Sequence, residues 1–367
     1  MRVLMISKAC IVGMYQQKLA TMASRAQDLA LTVVVPPYWR DERGETQLER
    51  VYTQGYRMVV LPMGLNGSFH THFYPGLRRL VAQEAPDIVH IDEEPYNLAT
   101  LQANLIARRY GAKTLWFSWQ NLARRYPPPF SWIETYNLKH VDHALVGSRT
   151  SGQVWRAKGY AGDMDVIPQF GVDPDVFTPP PPRVDHETVH IAYVGRLVPE
   201  KGCDVLLDAL VGVTGRWRAT FLGSGPSGAS LRHQASAQGL SDRVSFLDWV
   251  ASTEMPAFYR KVDVLVLPSL PRPNWTEQFG RVLIEAMASE VAVVGSGVGE
   301  IPHVIGDGGV AVPPGDATTL ADALQSLIDD PAQRVDLGRH GRRRVLTHFT
   351  HQSIADATLA VYRKLVL

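Results

Sequence analysis

Two carboxylates, Glu277 and Glu285, stand eight positions apart in TEQFGRVLIEAMAS, residues 276–289. The stretch RVLIEAMAS is rich in helix formers, with Val282, Leu283, Ala286 and Met287 suited to packing, and it predicts a helix from about Gly280. Glu277 then lies in the loop ahead of the helix and Glu285 on it. Taken singly, each acid has a plain reading as a solvated carboxylate favoured by the positive end of a helix. A second acidic group, Asp92, Glu93 and Glu94 in HIDEEPYN, ends a short apolar run. Carboxylates at the carboxyl end of a parallel strand face the ligand crevice, where they can orient hydroxyls or accept a proton. A solvated loop or helix cap is the alternative there. Gly223, Gly225 and Gly228 in FLGSGPSG satisfy G-x-G-x-x-G after a strand, with Asp248 downstream, as a dinucleotide site requires. That fingerprint normally opens the first unit of its domain, whereas this one belongs to a later unit.

These groups need strands to carry them. Short apolar runs alternate with helical patterns: RVLMIS, LTVVVPP, MVVLPM, DIVHID, KTLWFSW and HALVGS, then after a break VHIAYVG, RATFLGSG, RVSFLDW, VLVLPS and VAVVGS. Such runs predict parallel strands covered on both faces. The pattern occurs twice, so the expected fold class is α/β with two doubly wound domains and a ligand site in a cleft outside the strands' carboxyl ends. Four consecutive prolines, Pro179 to Pro182, cannot sit in a helix or a central strand and mark the boundary. The expected division is a first domain over 1–168, a linker over 169–185, a second domain over 186–350 and a C-terminal helix over 351–367, where SIADATLAVYRKLV repeats apolar residues at helical spacing. A formal net charge of +1 gives no reason to expect nucleic acid as a partner. Cys10 and Cys203 lie far apart without metal or redox spacing, which implies a reducing, cytoplasmic setting. The opening MRVLMIS soon meets Lys8, and no run approaches the roughly 18 to 20 apolar residues of a spanning helix, so neither a signal peptide nor a membrane span is expected.

The stretch EQFGRVLIE, with the following AMASEVAVVGSGVGEIPHVIGDGGVAVPPGD, resembles the E-x7-E signature of the retaining family 4 (group 1) glycosyltransferases. Their fold is GT-B, two Rossmann-like domains facing across a cleft, with a C-terminal helix packing back toward the first. The resemblance implies that Glu277 contacts hydroxyls of the transferred sugar and that Glu285 binds the two ribose hydroxyls of the nucleotide. Carboxylates suit both tasks because each can accept two hydrogen bonds from adjacent hydroxyls. Phe279 and Gly280 would offer backbone N–H groups to the diphosphate at the helix start. Arg196 and Lys201 in YVGRLVPEKG match the family's basic pair, and fixed cations stabilise a departing nucleoside diphosphate without a metal. In isolation both would read as solvated. Gly223 belongs to the loop that borders the donor in that family, with a tight turn as its plain reading, and Asp248 and Trp249 sit where the nucleobase is held. Asp173 to Asp175 satisfies a D-x-D metal pattern used by other glycosyltransferases. It lies in VIPQFGVDPDVF, however, which matches the family's interdomain hinge, so no catalytic metal and no cofactor beyond the co-substrate is expected.

The first domain departs from the family pattern. Where many relatives carry a Gly-Gly pair, SKACIVGMYQQK offers Gly13 alone for close approach to the diphosphate. Where relatives often place a histidine, Trp119, Gln120 and Asn121 stand, so that role is not carried over. Asn121 remains a substrate-binding candidate, with Asp92, Glu93 and Glu94 as candidates for the acceptor. His70 and His72 complete no metal ligand set. ARRYPPPFSW joins Arg124, Arg125, Tyr126, Phe130 and Trp132, read either as a packed proline-rich loop or as a weak peripheral contact with a membrane or lipid-linked acceptor, on the inner face. The resemblance implies retaining, metal-independent transfer of a sugar from a nucleoside diphosphate sugar to an acceptor hydroxyl. A nucleotide-sugar epimerase, a glycoside phosphorylase and a non-catalytic nucleotide-sugar-binding scaffold are the alternatives on such a fold.

Overall fold

Strand β1 (Arg2–Ile6) shows how an apolar run becomes part of a sheet covered on both faces. In the computed structural model, which describes residues 1–42, 44–181 and 188–367, Val3 and Met5 enter one core while Leu4 and Ile6 enter another. Side chains alternating along a strand must divide in this way. In β2 (Ala30–Val35), Val33 and Val35 go to the first core and Val34 to the second. A hairpin of β3 (Tyr38–Asp41) and β4 (Gly44–Gln47) precedes β5 (Arg57–Val60), β6 (Ile88–Ile91), β7 (Lys113–Ser118), β8 (His143–Val146) and β9 (Asp163–Val166). The large sheet runs β5-β2-β1-β6-β7-β8-β9, with every neighbouring pair parallel. The chain winds to opposite sides from β1, so the crevice of this sheet opens beyond the carboxyl ends of β1 and β6.

The apolar runs signal neither the hairpin nor β9. Strand β4 is fully exposed, and β9 is an edge strand, DMDV, with little burial. The C-terminal helix, His351–Val366, sends Ile354, Ala355, Leu359 and Tyr362 into the core that holds Val3 and Met5, beside the helix Gly13–Arg25. Fully burying a side chain the size of Ile354 or Leu359 is worth roughly 1.5–3 kcal/mol. The Tyr362 hydroxyl lies 2.6 Å from His90 Nδ1 on β6, which fixes the helix against the sheet. The chain therefore returns to its first unit, as the resemblance implied.

Two compact units result, Met1–Gly171 with His351–Leu367, and Val172–Thr350. Of the segment expected to form a linker, residues 169–171 fall in the first unit and 172–181 in the second. The latter are tied down: the Val172 N–H donates to Phe349 O at 2.8 Å, and Arg342 reaches Phe177 O at 3.0 Å. Asp173 Oδ1 accepts from the Asp175 N–H at 3.0 Å, an Asx turn. The rest of the expected linker, Pro182 of the proline run and the expected domain start at 186 lie outside the described residues.

The second unit holds β10 (Val189–Val194), β11 (Trp217–Leu222), β12 (Val244–Leu247), β13 (Val264–Leu267), β14 (Ala292–Ser296) and β15 (Gly309–Val312). Their order is β12-β11-β10-β13-β14-β15, again all parallel, with the winding reversing between β10 and β13. Five of these strands match the apolar runs. The sixth, β15, is the short edge segment GVAV and was not expected.

Candidate functional site

The carboxyl ends of β10 and β13 carry the residues that the second unit brings together. After β10 the chain passes Gly195 and Arg196 into the turn Pro199–Lys201, and after β13 it reaches Ser269 and then the loop containing Glu277. Lys201 Nζ lies 2.5 Å from Glu277 Oε2, and Ser269 Oγ donates to the same oxygen at 3.0 Å. Glu277 is 8% exposed, so this is a largely desolvated ammonium–carboxylate pair. The Lys201 ammonium also sits 5.0 Å from the Trp275 ring centroid, a cation–π distance.

The helix Arg281–Ala288 starts where its sequence predicts, with Gly280 as N-cap at φ 81°, a left-handed conformation suited to glycine. Phe279 is buried with its ring 5.6 Å from that of Phe349, so its side chain is core and its backbone is what it can offer a ligand. One turn into the helix, Glu285 accepts from Arg281 Nε at 2.7 Å and from the Tyr259 hydroxyl at 3.1 Å. Burial pushes its carboxyl above the ordinary range, against the opposing pull of Arg281.

A separate pocket of about 340 Å³ joins Arg196 with Gly223, Asp248 and Trp249. Gly223 has φ 139°, and a Cβ there would stand 1.9 Å from Gly195 O, so only glycine lets the loops after β10 and β11 meet. Arg196 is exposed, Asp248 pairs with Arg232 at 2.8 Å, and Trp249 is 78% exposed at the pocket's edge. The candidates thus fall into three groups: Lys201 with Glu277, Glu285 with Arg281 and Tyr259, and Arg196 with the glycine loop.

In the first unit a cavity of about 330 Å³ opens beyond β1, β6 and β7, lined by Lys8, Trp39, Asp92, Glu93, Glu94, Trp119 and Gln169 among others. All three acids of HIDEEPYN are therefore brought together. Asp92 accepts from Ser7 Oγ at 2.5 Å and from Gln169 Nε2 at 2.8 Å. Burial raises its pKa, with these bonds opposing. Glu93 pairs with Lys8, and His72 Nε2 is 3.5 Å away. Burial disfavours its charge, yet Lys8 and His72 outweigh that and hold the carboxyl at about 2. Glu94 accepts from Ser118 Oγ at 2.5 Å and from the Trp119 N–H at 2.9 Å, but burial still pushes it to about 7.

Two first-domain candidates stand apart from this cavity. Gly13 begins the helix Gly13–Arg25, and its N–H donates to Glu49 Oε2 at 2.6 Å; a Cβ there would lie 2.3 Å from Val51 Cγ2. The close approach expected of a diphosphate is thus made by this chain's own carboxylate. Asn121 lies in the loop after β7 and is not among the residues lining the cavity, whose wall there is Trp119. Sequence reasoning missed Lys8, Gln169, Ser269, Tyr259 and Trp275. Lys8 and Ser269 were findable, since both follow a strand's carboxyl end.

Among the described residues no group of three His, Cys, Asp or Glu side chains is arranged to hold a metal ion. Among them, too, no helix is long and apolar enough to cross a membrane.

Comparison with known proteins adds a lineage. The family model of glycosyl transferases group 1 matches residues 178–344, and that of the glycosyl transferase 4-like domain matches residues 13–169. A D-inositol 3-phosphate glycosyltransferase of Paenarthrobacter aurescens is 34% identical over 226 residues, covering 56% of this chain and 54% of its own length. The chain thus spans about half the length of that relative. The similarly named protein of Stackebrandtia nassauensis is 30% identical over 325 residues, covering 79% of this chain and 71% of its own. Anabaena HepE, solved in complex with UDP, superposes with a TM-score of 0.74 at 17% identity, covering 99% of this chain and 100% of that one.

Proposed function

The chain belongs to the group 1 glycosyltransferases of the family 4 type, with the GT-B fold, and on that premise we propose that it transfers a sugar from a nucleoside diphosphate sugar to an acceptor hydroxyl with retention of configuration. The observation that carries this reading is the contact of Lys201 with Glu277 beside Ser269. An ammonium and a carboxylate set side by side offer one group to a diphosphate oxygen and the other to a sugar hydroxyl.

In this reading Glu285 holds the ribose hydroxyls, and Arg196, in the pocket with Asp248 and Trp249, joins Lys201 on the diphosphate. The glycosidic bond breaks toward the diphosphate, whose growing charge the two fixed cations stabilise. The acceptor hydroxyl then attacks the anomeric carbon from the face the diphosphate leaves, and its proton passes to the departing phosphate oxygen. Atoms and charge balance without a metal or a protein base. Glu277 keeps the donor sugar oriented while its partner Lys201 turns to the phosphate. The first unit's cavity takes the acceptor, since carboxylates and aromatic faces together suit a polyhydroxylated ring. The names of the two relatives give them a phosphorylated cyclitol as acceptor.

The test is proton NMR of the first product formed from an α-linked donor in the presence of a chelator. An α-linked product supports the reading. A β-linked product would sink retention, loss of turnover on chelation would sink metal independence, and conversion of the donor into an isomeric nucleotide sugar without any acceptor would indicate an epimerase.

A further inference from the structure

The cavity of the first unit has a charge balance that bears on what it admits. Its lining carries three carboxylates, Asp92, Glu93 and Glu94, and one ammonium, Lys8. Lys8 is already committed: it pairs with Glu93 and lies 5.6 Å from the Trp39 ring centroid and 5.7 Å from that of Phe69. A phosphate monoester entering here would have to share Lys8 with a fully buried Glu93 and face two further carboxylates, Asp92 and Glu94. Among the described residues Glu94 makes no ion pair, and Lys8 attracts it only from a distance. Its oxygens each accept one neutral donor, from Ser118 Oγ and the Trp119 N–H, and each keeps capacity for a second. The other titratable groups about it are Asp92 and Glu93 beside it in the segment after β6, Lys8 in the segment after β1, and Tyr96 and Tyr126, whose phenols burial keeps protonated against the pull of the Arg124 guanidinium. Lys18 lies further in, buried, with its pKa lowered by that burial and its attraction directed at Asp92. Phe117, Trp39 and Trp119 supply the apolar walls. A carboxylate without an ion-pair partner, in a lining shared with aromatic side chains, is a receptor for an organic cation.

We propose that this cavity selects an acceptor carrying a protonated amine beside its hydroxyls, an amino sugar or aminocyclitol, and rejects a phosphorylated one, with Glu94 as the specificity-determining residue. The inference rests on the reading that the first unit binds the acceptor.

The full chain is titrated calorimetrically, with and without a saturating nucleoside diphosphate, against three probes of one ring size: inositol, inositol 3-phosphate and an inosamine. Inosamine is expected to bind tightest, by roughly tenfold or more over inositol, the effect of one charge-assisted hydrogen bond, and inositol 3-phosphate weakest. Inosamine affinity rises from pH 6 to pH 8 as Glu94, with its pKa of about 7, ionises. Glu94→Gln removes both the preference and the pH dependence while a thermal melt shows the variant folded; the wild-type preference and its pH profile are decisive even if that variant does not fold. Inositol 3-phosphate binding as well as inositol, inosamine binding no better than inositol, or no binding of any probe overturns the proposal. Nucleoside diphosphate sugar titrated into the same sample separates the two readings: bound donor with failed probes removes only the cavity inference, while unbound donor removes the wider function.

Discussion

Replacing Glu285 by glutamine separates ligand binding from stability in a way the structure makes quantitative. Glu285 is 7% exposed and accepts from Arg281 and Tyr259. Burial raises its pKa, so the folded chain holds this proton more tightly than the unfolded chain does. The sign follows: stability falls as pH rises from the ordinary carboxylate value through the folded value and stays lower above it. Glutamine carries no such penalty and keeps one oxygen for the Tyr259 hydroxyl. What it loses is the pair with Arg281, whose side chain is 39% exposed and rehydrates, a loss of about 0–1 kcal/mol. Glu285→Gln should therefore unfold in urea at pH 7 within about 1 kcal/mol of wild type. Donor binding should respond differently. Hydrogen bonds to a charged group are worth about 1.5–3 kcal/mol, and the amide retains one acceptor, so the donor dissociation constant should rise roughly tenfold. Calorimetry with the donor and urea titration of both proteins make the comparison. An unchanged dissociation constant, or a stability loss above about 2 kcal/mol, would refute the assignment by showing that Glu285 is a structural acid.

Three further outcomes follow from the same geometry. Lys201→Met should lower turnover by about 2.7–4 kcal/mol of transition-state stabilisation, two to three orders of magnitude, in steady-state assays, with a smaller effect on donor binding; wild-type turnover would remove Lys201 from the mechanism. Glu93 is held at about 2 by Lys8, so its contribution is present above the unfolded carboxylate value of about 4.3 and is lost as pH falls toward 2. Glu93→Gln should cost on the order of 3 kcal/mol at pH 7 and flatten that acid limb in denaturation curves. Glu49→Gln weakens the cap on the Gly13 N–H and should lower stability by about 0.5–2 kcal/mol in urea titrations, with donor affinity unchanged or improved because a carboxylate leaves the helix N-terminus.

Much of the fold was legible because β1, β2 and their counterparts are buried on both faces, and such strands must be continuously apolar. The hairpin, β9 and β15 escaped notice for the opposite reason: edge and exposed strands need no apolar signature. In the candidate site, Glu277, Glu285 and Lys201 were singled out by the residues around them. Tyr259 was not, because a buried tyrosine that donates to a carboxylate looks in sequence like any core aromatic. Gln169 was hidden by its 77-residue separation from Asp92, a contact that only the winding of the first unit creates. Gly13 was read as space for a ligand, whereas the neighbour that needs the glycine is the chain's own segment at Glu49 and Val51.

The proposed transfer depends most directly on whether the second unit recognises a nucleoside diphosphate sugar. A calorimetric titration of metal-free protein with uridine, guanosine and adenosine diphosphate sugars, chelator present, measures this. Saturable binding selective for one base is expected, followed by slow chelator-insensitive hydrolysis of that donor, with the hydrolysis lost in Lys201→Met. Absence of binding to every donor would contradict it.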